Sequence, residues 1–401
     1  GTDLPVRLIA YDGTDVGPKD AATTVVIRSR DALVRIVTAP GELGLARAYV
    51  SGDLDIDGDI YDFLELRNLL PELKFTPRQV RDLLRVVGIG NLRRIPPPPQ
   101  EHRGRGRLHS RGRDASSISY HYDVSNEFYR MILGPSMTYS CAVFETPTDT
   151  LEQAQTEKYD LICRKLGLRP GMRLLDIGCG WGGMVMHAAE NYGVRAVGVT
   201  VSQNQVDLAS KRVVEAGLAD VVEIRLQDYR DVDDGPFDAI SSIGMFEHVG
   251  LPRLGTYFTQ VSDLLVPGGR LMNHAISRDS PVSRGRVRRS PFIDRYVFPD
   301  GELHEVGSVV SALQERGLEV RHIENLREHY GMTLRRWVEN LGCNWDDAVG
   351  EVGEARARIW RLYMAGCAVL FEDNRIHIDQ VLAVNTPQRG TSGMPLRPDW
   401  M

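Results

Sequence analysis

The spacing of apolar residues changes several times along the chain, and each change marks an element. Residues 6–11 and 23–27 carry β-branched runs around a turn at Asp12-Gly13, which predicts a strand-rich first fifty residues. From 61 to 70 and from 77 to 87 the spacing turns helical, with Leu64, Leu69 and Leu73, then Val80, Leu83, Leu84 and Val87, on apolar stripes. A helix over 151–167 leads into a continuous apolar run at 172–177, read as a buried strand. Strands at 196–201, 221–226, 237–243 and 270–274 then alternate with helices at 203–216 and 253–265. Helices at 333–341 and 354–372 follow, and the tail from Thr386 to Pro398 is loop-like. Alternation of this kind predicts an α/β fold: a Rossmann-like parallel sheet with right-handed crossovers and helical insertions, beside a smaller N-terminal α+β domain. Ligands of such sheets sit beyond the carboxyl ends of the strands. Those ends carry Asp176, Gly178, Thr200, Gln227, Asp228, Glu247 and His274.

The 172–177 strand runs into Asp176-Ile177-Gly178-Cys179-Gly180-Trp181-Gly182. Three glycines let the backbone turn tightly and approach a ligand that a β-carbon would repel. The helix from about Gly183 to Asn191 aims its first amides at whatever lies over the turn. A dinucleotide-binding turn or a plain strand–helix turn looks similar, so these residues alone leave the ligand open.

Composition narrows the class. A net charge of -6 argues against general nucleic-acid binding, although local basic clusters still act on a charged surface. Five scattered cysteines, Cys141, Cys163, Cys179, Cys343 and Cys367, point to reduced thiols in the cytoplasm, and no C-x-x-C pair points to zinc. With no signal peptide and no apolar run long enough to span a bilayer, the expected membrane contact is peripheral, at the inner face of the plasma membrane. Domain boundaries follow the composition: an accessory domain at 1–90, a linker at 91–114 and a catalytic domain at 115–401. The linker joins Pro96 to Pro99, an extended segment, to Arg103, Arg105, Arg107, Arg111 and Arg113. That arm reads equally as a solvated tether or as an attachment to anionic phospholipid. Arg284, Arg286, Arg288 and Arg289, ahead of an aromatic stretch at 291–299, pose the same choice.

Residues 117–144 are dense in aromatic and polar residues without an amphipathic period, and read as a lid or pocket wall rather than a simple core helix. Here the chain resembles a known family. The 176–182 motif is similar to the first motif of class I S-adenosylmethionine (SAM) methyltransferases. Seven ordered segments are similar to the cyclopropane fatty acid synthase family: His121-Tyr122-Asp123, Thr138-Tyr139-Ser140-Cys141, Gly198-Val199-Thr200, Gln227-Asp228-Tyr229-Arg230-Asp231, Met245-Phe246-Glu247-His248-Val249-Gly250, His274-Ala275-Ile276 and His329-Tyr330. The resemblance runs from about 115 to 385.

That resemblance implies SAM as cofactor. Tyr122 goes with the cofactor site, and Tyr139 and Ser140 match positions that close over SAM. Asp176, Gly178, Gly180, Trp181 and Gly182 match the turn under its methionine moiety. Thr200, Ser202 and Gln205 match the segment along the ribose, and Gln227 and Asp228 the adenine end. Thr200 replaces the ribose-binding acid of ordinary methyltransferases, so Gln205 or a neighbour must take that hydrogen bond. Read singly, Tyr139 also reads as a packing residue and Asp228 as a helix cap.

An isolated alkene is a poor nucleophile and needs an electrophilic methyl aligned against it. The carbocation formed must then lose a proton. The resemblance implies bicarbonate as the base, held by Cys141, Glu247, His274, Ile276 and Tyr330, with Glu247 sharing a proton because two adjacent oxyanions repel. His248 is left as an outer neighbour. Cys367 matches a cysteine once proposed as a nucleophile, but its apolar setting reads as an inert buried thiol. The implied substrate is the cis double bond of unsaturated (oleoyl) phospholipid chains. Proton loss from the new methyl closes a cyclopropane. Loss from the chain leaves a 10-methylene that a separate flavin-dependent reductase converts to a 10-methyl branch of the tuberculostearic type. Segments 43–53 and 393–398 resemble the methylene-forming branch more. The same reading admits a homo-oligomer. A non-catalytic lipid- or SAM-binding protein is the contrasting class, and the retained Glu247, His274 and Tyr330 argue against it.

Overall fold

The computed structural model describes residues 6–69, 95–102, 124–279, 290–299 and 301–400, without the side chains of 66–69 and His248. Tyr122, the helix expected at 77–87, and the arginines of 103–113 and 284–289 lie outside these residues. The chain forms two compact units: Gly1–Gly104 with Arg288–Pro299 and Leu341–Val369, and Arg105–Val287 with Asp300–Asn340 and Leu370–Met401.

In the first unit, β1 (Arg7–Ala10), β2 (Asp15–Val16), β3 (Thr24–Ile27) and β4 (Leu54–Asp57) form a sheet of order β2-β1-β3-β4. The strand-rich expectation needs correction, because helices occupy Arg30–Thr38 and Glu42–Val50. Ser29 starts the first by accepting a hydrogen bond from the Asp31 amide at 3.2 Å. The second buries Ala46, Ala48, Tyr49 and Val50. Its Arg47 makes two 2.8 Å bonds to the buried Glu101, which also accepts from Arg295 at 2.8 Å and Tyr296 at 3.0 Å.

The second unit holds β5 (Arg173–Ile177), β6 (Arg195–Thr200), β7 (Val222–Leu226), β8 (Phe237–Ile243), β9 (Leu265–Arg278), β10 (Glu319–Asn325) and β11 (Ile376–Val384). Their order is β10-β11-β9-β8-β5-β6-β7. Strands β5 to β9 pair in parallel as expected, while β10 and β11 add an antiparallel edge that the periodicity did not reveal. Adjacent residues of β5 feed opposite faces: Leu175 packs with Ile240, Phe246, Tyr257 and Phe258, and Leu174 with Ile162, Met184, Val185 and Ala196. Each such leucine contributes about 1.5–3 kcal/mol by leaving water. Strand order reverses at β5, flanked by β6 and β8, so a crevice opens at its carboxyl end.

Candidate active site

Strand β5 ends in the glycine turn. Gly178, Gly180 and Gly182 have φ of +80°, +54° and +83°, a region that side chains rarely enter. A β-carbon at Gly178 would come within 2.9 Å of Met245 Cβ, whereas one at Gly180 would meet none of the described residues within 4 Å. Gly182 starts the helix Gly183–Tyr192 without a side-chain cap, which leaves its first amides for a ligand.

A cavity opens over this turn. Tyr139, Ser140, Asp176, Gly178, Gly180 and Trp181 line it, and so do Thr200, Gln205, Gln227 and Asp228. Expected cofactor residues from the ends of β5, β6 and β7 thus share one space with Tyr139 and Ser140. Thr200 donates to Gln205 Oε1 at 2.6 Å, which holds both at the end of β6. Ser202 caps the helix Gln203–Glu215 instead of lining the cavity. Asp228 lines the cavity and caps the short helix Tyr229–Asp231, while accepting from Arg230 Nε at 2.8 Å. The pocket and capping readings of this residue therefore coexist.

The wall over the turn is in part a helix, Asn126–Leu133, capped by Ser125 and burying Phe128, Tyr129, Ile132 and Leu133. This corrects the expectation of a non-amphipathic lid. Asn126 accepts from Trp181 Nε1 at 2.9 Å, and the Tyr129 ring lies 4.8 Å from Trp181 and 5.8 Å from Tyr139. Trp337 continues the row, 5.3 Å from Tyr139 and 6.0 Å from Tyr330.

Lys158 is a cavity residue that sequence reasoning missed. It sits fully buried on the helix Leu151–Leu166, donating to Ser140 Oγ at 2.9 Å. Burial lowers its pKa to about 7, against the pull of the Cys141 and Asp176 side chains. Burial raises Asp176 to about 6, held back by the 2.6 Å bond from Ser241. One signal was available: Ala154, Lys158, Leu161 and Lys165 share a helical stripe with apolar residues.

The residues assigned to the base fall into linked pairs. Glu247, in the turn after β8, accepts from the Ile276 amide at 2.7 Å, so that amide is already engaged. His274, expected at a strand end, instead stands within β9, which runs on to Arg278, two residues before Ile276 and on the same face. Cys141 Sγ lies 3.8 Å from the Leu326 carbonyl, which also accepts from the Tyr330 amide at 3.2 Å. The Tyr330 ring packs 4.6 Å from Phe371. Burial pushes the Cys141 thiol far up, which keeps it neutral.

Glu247 and His274 are both buried, and Glu247 Oε2 and His274 Nε2 have no hydrogen-bond partner among the described residues. Stranded polar atoms of this kind cost about 1–3 kcal/mol each. Desolvation raises Glu247 to about 7, and the same burial, with Lys158 and Lys165 nearby, drives His274 well below its usual value. A protonated Glu247 and a neutral histidine offer donors, so a small oxyanion matches what the pair lacks. Gly180, facing open space beside buried Lys158, likewise suits a ligand with a close-lying backbone and a carboxylate, as the methionine part of SAM has. Cys367 lies buried on the helix Glu354–Glu372, in the portion belonging to the first unit, whereas the second unit alone lines the cavity.

Comparison with known proteins agrees with this geometry. Residues 109–381 match the family model described as "Mycolic acid cyclopropane synthetase". The chain is 48% identical over 407 residues to "Probable fatty acid methyltransferase Rv3720" of Mycobacterium tuberculosis, covering 99% of this chain and 95% of that protein. It is 34% identical over 363 residues to the cyclopropane-fatty-acyl-phospholipid synthase of Escherichia coli, covering 90% and 88%. Among solved structures, the cyclopropane synthase MmaA2 from Mycobacterium tuberculosis superposes with a TM-score of 0.65 at 34% identity, over 67% of this chain and 98% of that one.

Proposed function

Because the chain belongs to the mycolic acid cyclopropane synthetase family of SAM-dependent fatty acyl methyltransferases, we propose that it methylates the cis double bond of oleoyl chains in membrane phospholipids. The proposed product is a 10-methylene acyl chain, the precursor that a flavin-dependent reductase would convert to the 10-methyl branch. SAM, when bound, supplies a methyl group electrophilic enough for an isolated alkene.

The protein's part is to orient, dry and deprotonate. Gly178, Gly180 and the first amides of Gly183–Tyr192 seat the cofactor, with Lys158 beside it. Tyr139 lines the cavity and packs into a row with Trp337, Tyr330 and Phe371, and this aromatic body would keep water from a hydrocarbon chain and its cation. Methyl transfer places a positive charge on the chain, and loss of one proton restores a neutral alkene. Glu247 and His274 would hold bicarbonate as the acceptor of that proton, with Cys141, Ile276 and Tyr330 around it. The observation that carries this reading is the stranded pair, Glu247 Oε2 in the turn after β8 and His274 Nε2 on β9, both buried.

Cyclopropane formation from the same cation is the second reading, favoured by the likeness to the Escherichia coli synthase. No helix of the described residues is long and apolar enough to cross a membrane, and the proposed place of action is the inner membrane surface, reached peripherally. Purified protein incubated with SAM and oleoyl phospholipid, followed by gas chromatography–mass spectrometry of the fatty esters, tests the proposal. A one-carbon gain with an exocyclic methylene supports it; a ring selects the second reading; no gain rejects both.

A further inference from the structure

Three adjacent strands carry a row of side chains that ends on His274, and the members behind that histidine have no part in the chemistry above. Glu324 of β10 stands opposite Gln380 of β11, and Gln380 stands opposite His274 of β9. Lys165, from the helix Leu151–Leu166, caps the row. Its Nζ donates to Gln380 Oε1 at 2.6 Å and is paired with Glu324. Gln380 Nε2 lies 3.2 Å from His274 Nδ1. Lys165, Gln380 and His274 are each wholly buried.

The donor and acceptor inventory leaves this row one solution. An ammonium group has hydrogens and no lone pair, so the Gln380 atom facing it must be the carbonyl oxygen. The amide nitrogen then faces His274 and donates. A ring nitrogen that accepts carries no hydrogen, so the hydrogen of a neutral imidazole must sit on the other one. A doubly protonated ring would set an N–H against the amide N–H. We propose that Lys165, acting through Gln380, is a positioning residue that holds His274 as the neutral tautomer bearing its hydrogen on Nε2. That nitrogen has no hydrogen-bond partner among the described residues. The row therefore aims a donor, rather than a lone pair, out of the strand. Its consequence for turnover rests on the reading of His274 as a donor to a small oxyanion; the tautomer itself does not.

Long-range proton–nitrogen correlation spectra of the full chain, labelled with nitrogen-15 histidine and assigned by difference with His274→Asn, read the tautomer directly. Spectra are recorded without lipid or SAM. The wild type is expected to show protonated Nε2 and bare Nδ1 at His274. In Gln380→Glu the new carboxylate accepts from the ring, and the hydrogen should appear on Nδ1. In Lys165→Met only Glu324 remains beside Gln380, the amide should turn, and Nδ1 should again become protonated. Lys165→Arg, still purely a donor, should restore the wild-type pattern. Alongside these spectra, kcat for oleoyl phospholipid should fall about a hundredfold in Gln380→Glu and Lys165→Met, the scale of losing one well-placed donor, with the KM for SAM unchanged. A wild-type ring protonated on Nδ1 overturns the proposal, as does a lone Nε2–H form persisting in Gln380→Glu. Should Lys165→Met fail to fold, Gln380→Glu, which keeps a partner for the ammonium, decides alone. A wild type with the expected spectrum but no lipid methylation would sink the functional reading and leave the relay standing.

Discussion

Replacing Glu247 with glutamine separates the charge of that side chain from its shape. Burial raises the carboxyl from 4.5 to about 7, which corresponds to roughly 3 kcal/mol set against the ionised form. Between those two values the folded protein binds more protons at this site than the unfolded chain. Stability contributed here therefore falls as pH rises through the window, and the full penalty is in force above about 7. Glutamine never ionises. Its Oε1 can still accept from the Ile276 amide, and its nitrogen occupies the place of the stranded Oε2. Glu247→Gln should thus match the wild type near pH 4.5 and exceed its stability by up to roughly 3 kcal/mol in mildly alkaline buffer. Urea unfolding in bicarbonate-free buffer at both ends of the window measures the difference. Turnover should fall by a factor of about 100 or more, while calorimetry shows SAM binding unchanged. A stability difference that does not vary with pH would refute the electrostatic argument, and undiminished turnover would remove Glu247 from the chemistry.

Three further substitutions probe the rest of the site. Gly180→Ala places a side chain at φ +54° and should destabilise the fold by about 1 kcal/mol. Its methyl group points into open cavity, so calorimetry should show SAM affinity reduced about tenfold, the effect of roughly 1.4 kcal/mol; unchanged affinity would mean the cofactor lies elsewhere. Trp337→Ala empties a fully buried place between Tyr139 and Tyr330 and should cost about 3–5 kcal/mol in denaturant unfolding. A loss below about 1 kcal/mol would show that the aromatic row is not packed as described. Cys367→Ala should keep turnover within about twofold of the wild type, since a thiol buried in apolar surroundings is a poor nucleophile; a collapse of activity in a folded variant would restore the nucleophile reading.

Most of the cofactor side was legible because its signals are local. The three glycines need only their own backbone angles to be recognised, and β5 to β8 announce themselves by short apolar runs between helices. The helices at 30–38 and 42–50 were read as part of a strand-rich segment because the β-branched runs before them set the expectation. There the Ser29 cap and the alanines of 46 and 48 decide otherwise. Strand β10 was missed because Glu319, Arg321 and Glu324 break its apolar pattern, and β11 because a lone buried run lacks a period.

The order of residues along the chain was enough to establish a parallel sheet, the turn at its switch point, and the polar groups that end β5, β6 and β7, though not that β9 runs past His274 to Arg278. Those properties depend on neighbours a few positions apart. Only the folded molecule decided that Lys158 and Lys165 are buried and that Ser140 and Gln380 receive them. Lys165 and Gln380 are separated by 215 positions, and Gln380 and His274 by 106. A lysine on a helical stripe looks the same in sequence whether water or a buried amide faces it, since what surrounds the ammonium is supplied by strands folded back from far away.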